Sequence, residues 1–459
     1  MTGRRFNGCQ STLVAALLTL LPSAARPAPA TLLGTVTGGD GAPLPARVAV
    51  LTQDWKKSQI AFTDREGRYR LEFQSGKCLV IATHGPEYGI AERTAELRPG
   101  SNRLEVALDR VLDMSRLGWH CGDVHIHSNC SDGAQPPADI AWAAQCEGLD
   151  WAILTDSNTA AGLEEWLAQA GPAFVPLAGQ EVATSRGHIL GIGAAEPISP
   201  DASHGANDMY RICTQIRAQE ALAVVAHPNA PGMSYRDWDL RSYDGIEILN
   251  GALPPPFGAP DALQGRRKWY ELLGRGEQPL PFGGSASRDI TSAPLRRILE
   301  NPSDAARRHA GIALLLRALP ADAARLLALR AGYIGSVRTY VQCPELTAEA
   351  ILTGLRSGTT FVTTGPLLLA TVDGRLPGET VNVHGKHAVT IRLEAASNHA
   401  LERIDIVADG EVVRSIAGAH LMRLERTVDL PVAGWQWLVI ECYGESPDMA
   451  VTNAWDLQR

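Results

Sequence analysis

From Gly118 to about Pro366, short apolar runs alternate with segments of helical composition, and this alternation constrains the fold more than any other feature of the chain. Trp151-Ala-Ile-Leu-Thr, Phe174-Val-Pro-Leu, Ala221-Leu-Ala-Val-Val-Ala, Gly245-Ile-Glu-Ile-Leu and Leu280-Pro-Phe-Gly-Gly read as buried strands. Asp139–Gly148, Leu163–Ala170 and Tyr210–Gln219 read as helices between them. Strands that are apolar along their whole length are buried on both faces, the pattern of a parallel sheet covered by helices. The expected class is α/β, as a parallel barrel or a layered sheet. In such folds ligands and catalytic groups collect at the C-terminal ends of the strands.

The polar residues of interest sit at those ends. The stretch Gly118–Gly133 reads GWHCGDVHIHSNCSDG. Val124–His127 reads as a strand, so His125 and His127 share one face and can bind one divalent cation through neutral nitrogens. Read alone, the pair could equally be two ordinary strand histidines. Thr155-Asp156-Ser157-Asn158 ends the next strand, Gly179-Gln180-Glu181 the third, and Gly187-His188 follows seven residues after Glu181. Ala226-His227-Pro228 and Gly283-Gly-Ser-Ala-Ser-Arg288-Asp289 end later strands. Four histidines and a carboxylate at one strand-end face make a donor set that suits zinc, manganese or iron.

The order and spacing of these pieces resemble the PHP (polymerase and histidinol phosphatase) metallo-hydrolases, and more closely their CehA/McbA, carbaryl-hydrolase-like branch. The resemblance rests on GWHCGDVHIHSNCSDG, LTDSN, GQEV, the isolated GH, AHP, GGSASR and the closing LRSGTTFVTTGPLL, and spans nearly the whole chain after its first thirty residues. It implies a distorted (βα)7 barrel. It implies His125 and His127 on one metal, Glu181 bridging to a second, and His188 and His227 completing the second set. Two cations held ~3.5–4 Å apart by a bridging carboxylate lower the pKa of a shared water towards ~7 and polarise the attacked carbonyl or phosphoryl oxygen. Zinc is the first expectation for both, with manganese or iron as alternatives.

Three positions depart from the family pattern. Ser157 stands where T-D-H-N has its histidine, and Ala286 and Arg288 stand where G-S-D-x-H has its aspartate and second histidine. At most two metals are therefore expected, with Asp132 or Asp289 as substitute ligands. Arg288 either binds an anionic group of the substrate or pairs with Asp132, Asp156 or Asp289. Asp156 either orients a ligand histidine or shuttles a proton to the leaving group. Arg186 is a further candidate anion contact or a surface residue.

The expected layout has four parts. Residues 1–30 read as a secretory signal: Arg4-Arg5, the apolar run Leu13–Leu21, then Ala28-Pro29-Ala30 with a cut after Ala30. Residues 31–112 carry short β-forming runs and turn signals, and Thr63-Asp-Arg-Glu-Gly-Arg-Tyr-Arg-Leu resembles the transthyretin-like or carboxypeptidase-regulatory-like β-sandwich. Residues 117–366 form the PHP unit, with 290–332 as a helical insertion, either lid or surface feature. Residues 367–459 return to a small β-sandwich. No later segment is long enough to span a bilayer as a helix. The expected location is periplasmic or secreted.

The net charge of −8, with no basic block beyond the N-terminus, argues against a nucleic-acid partner. Eight cysteines become seven once Cys9 leaves with the signal, an odd number that leaves at least one thiol unpaired. They read first as buried thiols and second as disulfides; Cys121 and Cys130 flank the histidine pair and are minor ligand candidates.

The function expected from these readings is an exported metal-dependent hydrolase. Its substrate is a small-molecule or carbohydrate-linked phosphoester, carboxyl ester or carbamate, with Asp156 and Arg288 as its catalytic candidates. The competing reading is a secreted binding protein whose barrel has lost catalysis, motivated by Ser157, Ala286 and Arg288.

Overall fold

The computed structural model describes residues 27–53, 57–198, 200, 206–230, 233–251, 259–291, 333–444 and 448–459. Most of the expected signal segment, and residues 292–332 of the helical insertion expected over 290–332, lie outside the described residues. The architecture is mostly sheet with few helices.

Two sheets carry the candidate site. One runs Val175–Leu177, Trp151–Leu154, Trp119–Ile126, Arg338–Gln342, Thr360–Thr363 and onward; the other runs Gly179–Thr184, Gly187–Ile192, Leu222–Ala226, Gly245–Asn250, Leu280–Gly284. Every residue of Trp119–Ile126 is buried, as expected for a strand covered on both faces. Val124, Ile153, Leu190, Val224 and Phe282 come from both sheets and share one buried cluster. Each fully buried aliphatic or aromatic side chain of this kind contributes about 1.5–3 kcal/mol. Close approach is built in by glycine. A Cβ on Gly122 would lie 2.0 Å from the Trp151 ring, and one on Gly284 would lie 2.6 Å from the His125 Cβ.

The two sheets meet through isolated bridges, Ile126 with Ser287 and Ser157 with Glu181. Polar strand ends from both sheets are thereby brought side by side. Within the first sheet Thr155 extends the pairing of Trp151–Leu154 with Trp119–Ile126: its Oγ1 accepts from Ile126 N and its N donates to Ile126 O.

The expectation of a wholly parallel βα alternation needs correction. Gly179–Thr184, Gly187–Ile192 and Leu222–Ala226 pair antiparallel, and only the last three strands of that sheet run parallel. The stretch around His188, read as an isolated Gly-His, is the start of a strand. Gly187 turns the chain at φ 120, in the region that favours glycine, and Thr184 Oγ1 donates to its carbonyl.

Ahead of this region, Pro29–Gly38, Arg68–Gln74, Gly100–Arg103 and Val106–Leu108 form one sheet, and Ser58–Phe62, Arg47–Thr52, Gly76–Thr83 and Ala91–Leu97 another. Leu32, Val48, Leu71 and Val80 from both lie in one core. The expected cleavage point after Ala30 falls inside the first of these strands, where Ala30 is buried.

Beyond Pro366 the strands fall in two sheets whose Leu368, Ile391, Ile404 and Ile440 share one buried core, and one of these sheets is not separate from the histidine-bearing one. Thr360–Thr363 pairs with Met449–Thr452, which pairs with Trp437–Gly444, then Leu401–Ala408 and Glu411–Ala417. The sheet that carries the histidine pair therefore continues unbroken into the C-terminal region. The three strands Leu367–Val372, Ala388–Ala396 and Arg423–Pro431 form their own sheet. The helix Ala348–Ser357 feeds this junction; Thr347 Oγ1 caps it by accepting from Ala350 N, and Gly358 ends it at φ 75.

Among the described residues no helix is long and apolar enough to cross a membrane. All seven cysteines from Cys78 onward are free thiols, and six are buried. Cys121 Sγ accepts from Arg338 Nη1 at 3.5 Å and Cys130 is exposed, so the structure pairs neither with a cluster histidine.

Candidate metal centre

Five of the residues singled out in the sequence converge. Glu181 is fully buried, and its Oε1 lies 2.8 Å from His188 Nδ1, 3.0 Å from His227 Nε2 and 3.6 Å from His125 Nε2. Its Oε2 lies 3.5 Å from His127 Nε2 and accepts from Ser157 Oγ at 3.0 Å. The donor atoms of His125, Glu181 and His227 all fall within 4.8 Å of one another, the spacing of groups that can hold one ion.

The strand pairing explains the convergence. His188 lies opposite Ala226 and Ala183 in its sheet, which sets it beside His227 and near Glu181. His227 has φ 26 and Ala286 φ 49, conformations that cost a non-glycine residue roughly 1–2 kcal/mol. Both strained residues stand at strand ends facing the cluster region.

Two carboxylates behind the cluster were not legible as site residues. Glu247 is 1% exposed, and its Oε1 is 3.0 Å from His125 Nδ1, while its Oε2 accepts from His227 N at 2.7 Å and Asn250 Nδ2 at 2.8 Å. Asp123 is fully buried and accepts from His125 N, Ser285 N and Gly335 N, tying the H-x-H strand to the Gly-Gly-Ser-Ala-Ser loop. Burial raises the Asp123 carboxyl above its usual range. The signal that could have found both was a lone acidic residue inside an apolar strand, in Gly-Asp-Val-His and in Gly-Ile-Glu-Ile-Leu.

The protonation pattern bears on what the cluster holds. Glu247 faces His125 Nδ1, and Asp132 Oδ1 lies 3.1 Å from His127 Nδ1. Glu247 at His125 Nδ1 assigns the neutral-imidazole proton there, whereas His127 Nδ1, though near Asp132, has no hydrogen-bond partner among the described residues. The two Nε2 atoms lie 3.0 Å apart, a separation that needs a proton or a cation between them. Burial alone would push His125 down, but Glu247 and Glu181 outweigh it and hold it up at about 10. Burial and the Arg288 charge push His127 down. Burial opposes ionisation of Glu181, yet the surrounding histidines, led by His125, keep it well below the usual carboxylate range. The buried carboxylate and imidazoles make a donor set that fits a divalent cation.

The remaining expected residues divide. Asp132 does not join the ligand face; it stands behind His127, with its other oxygen 2.6 Å from Arg288 Nε. Arg288 resolves to that pairing. Its Nη1 donates to Ala286 O, and its Nη2 lies 3.9 Å from Glu181 Oε2. Asp156 does not touch a ligand histidine. It accepts from Ser128 N, Ser128 Oγ and Ser131 Oγ, so it shapes the loop that follows the H-x-H strand. Asp289 is turned to Gln135 and Thr291. Arg186 pairs with Asp237.

No family model matches the chain, and no curated protein matches it. Among solved structures it is similar to a two-domain protein from Bacteroides vulgatus containing a predicted PHP-like metal-dependent phosphoesterase. That match has 14% identity over 71% of this chain and 90% of that one, with a TM-score of 0.40. It is also similar to a candidate metal-dependent phosphoesterase from Bifidobacterium adolescentis, with 17% identity over 36% and 86% and a TM-score of 0.27. An amidohydrolase from Chromobacterium violaceum, with bound sulfate and no metal, shows 18% identity over 37% and 87%, TM-score 0.27. At such low overlap these likenesses carry no weight for the chemistry, which rests on the side-chain geometry.

Proposed function

We propose that the protein is a metal-dependent hydrolase of the PHP type, in its CehA/McbA-like branch, acting on a phosphoester, carboxyl ester or carbamate. The observation that carries this reading is Glu181, a buried carboxylate whose two oxygens are divided between His188 and His227 on one side and His127 on the other. His125, His127, Glu181, His188 and His227 would hold two divalent cations, zinc in the first instance. Bound there, such cations supply hydroxide near neutral pH and polarise the attacked oxygen. The bridges between Ile126 and Ser287 and between Ser157 and Glu181 favour closing the seven strands into one distorted barrel. The rest of the layout is carried over from the sequence: export by the N-terminal segment, a regulatory-like β-sandwich before the barrel, a small-molecule or carbohydrate-linked substrate.

The chain's own groups have separable tasks. Glu247 orients His125, and Asp132 lies beside His127 while anchoring Arg288. Arg288, about one-third exposed, directs Nη2 towards the Glu181 side and is the cation that meets an anionic substrate group. Asp156 is assigned no proton-transfer step, because its oxygens are engaged by Ser128 and Ser131.

Glu181→Gln tests the reading. The expected result is loss of bound metal, measured by mass spectrometry on protein purified without chelators, together with loss of hydrolysis across a panel of phosphoesters, esters and carbamates. Retention of both sinks it. The binding-protein alternative is favoured by Ser157, whose hydroxyl occupies Glu181 Oε2 where the family has a histidine. It predicts bound metal in the parent protein with no turnover of any substrate in the panel.

A further inference from the structure

Glu181, His188 and His227 come from three neighbouring strands, and a junction beside the cluster ties those strands together. Glu181 lies in Gly179–Thr184, and His188 stands at the start of Gly187–Ile192. A tight turn joins the two strands, with Thr184 and Gly187 paired across it. Thr184 Oγ1 accepts from Arg186 N and donates to Gly187 O. His227 follows the third strand, Leu222–Ala226. Beyond His227 the chain comes back to the turn. Tyr235 N donates to Pro228 O at 2.8 Å, and Arg236 N donates to Arg186 O at 3.0 Å.

The contact is both close and charged. A Cβ on Gly187 would lie 2.6 Å from Tyr235 Cα, so glycine is what lets the returning segment pack beside His188. Tyr235 is buried in one cluster with Val182 and Ile189, the chain neighbours of Glu181 and His188. The Arg186 side chain then closes the junction. Its Nε donates to Asp237 Oδ2 at 2.6 Å, and its Nη2 donates to Oδ1 of the same carboxylate. Two parallel bonds between a guanidinium and a carboxylate set direction as well as distance. The Asp237 side chain is 4% exposed and that of Arg186 30%, and a buried carboxylate is held firmly to its partner. Both Asp237 oxygens are engaged by Arg186. The pair therefore acts through the backbone of the two histidine segments and not as a donor to a cation.

We propose that Arg186 and Asp237 are positioning residues that hold His188 and His227 in register for a divalent cation, which rests on the reading of the histidine cluster as a metal centre. The two imidazole rings lie 4.9 Å apart between centres, and both meet Glu181 Oε1. Parting the turn from the segment after His227 separates these two ligands, and a cation is then bound less tightly. The same strand offers a comparison at its other end. Arg217 Nη2 donates to Asp244 Oδ1 at 2.7 Å, and Asp244 Oδ2 accepts from Ala223 N. That ion pair also fastens Leu222–Ala226, but at the end away from His227.

The test is cation affinity of the full chain, read by competition with a calibrated chelator, together with the visible spectrum of the cobalt(II)-loaded protein, which follows ligand geometry. Arg186→Gln and Asp237→Asn should each weaken zinc and cobalt binding about tenfold and alter the spectrum, the scale of losing a group that orients a metal ligand. Arg186→Lys keeps the charge without the fork, so it should lose less; it replaces any variant that does not fold. Arg217→Gln should leave affinity and spectrum unchanged, whatever it does to the melting temperature. Affinity within about twofold of the parent and an unchanged spectrum in the Arg186 and Asp237 variants overturn the proposal, and so does an equal loss in Arg217→Gln. A parent chain that takes up no cation sinks the metal-centre reading, and this proposal with it.

Discussion

Glu247→Gln is the perturbation that most directly tests how the metal centre is held. The wild-type carboxylate serves two faces: Oε1 meets His125 Nδ1 at 3.0 Å, and Oε2 receives His227 N and Asn250 Nδ2 at 2.7 and 2.8 Å. Glutamine fits the same volume but has one acceptor oxygen and one NH2 group. Whichever way the amide turns, its NH2 points at an N–H donor, so one face loses its acceptor and the other loses the charge. All three charge-assisted bonds weaken, and at about 1.5 kcal/mol each the cost is about 4.5 kcal/mol of stability. His125 also loses the anion that sets its tautomer, and removing such an outer partner typically lowers metal affinity about 10–100-fold. Denaturant unfolding of the metal-free variant reads the first effect, and competition with a calibrated chelator reads the second. Metal affinity within about twofold of the parent, in a variant that folds, would refute the claim that Glu247 orients the ligand histidine.

Three further outcomes follow from the same geometry. Because His125 is held at about 10 in the folded metal-free chain, against roughly 6.5 unfolded, its stabilisation is complete below about pH 6.5 and is lost as pH rises towards 10. Melting temperatures of metal-free protein across that window should fall, and a flat profile would contradict the assignment. Arg288→Gln should leave metal content unchanged while lowering kcat/KM more for p-nitrophenyl phosphate than for the neutral ester p-nitrophenyl acetate; equal losses would remove Arg288 from anion recognition. In a thiol titration of the native chain, Cys130 should react fast and the other six cysteines described only after unfolding, as burial dictates; several fast thiols would show that the packing is wrong.

Polar residues at the ends of short apolar strands, matched to the motifs of the resembled family, singled out His125, His127, Glu181, His188 and His227, and the structure brings the four histidines to one carboxylate. Strand periodicity and residue chemistry are local, so they survive in the sequence. The positions of Asp156 and Asp289 were not readable in this way. A carboxylate at a strand end can turn to the cluster or to the loop beside it, and serines 128 and 131 capture the first while Gln135 and Thr291 capture the second. The antiparallel course around His188 hinged on one glycine turn, and an apolar strand carries no mark of its partner's direction.

The sequence by itself determined the donor types, their spacing and the net charge of −8. Only the tertiary structure decided that Glu247 and Asp132 stand behind the histidines, that Arg288 is tethered, and that one sheet runs from the H-x-H strand into the C-terminal region. The physical reason is that hydrogen-bond partners across more than a hundred residues, such as His125 with Glu247, are selected by burial. A polar group removed from water must find its complement, and which complement is near is a property of the packed chain alone.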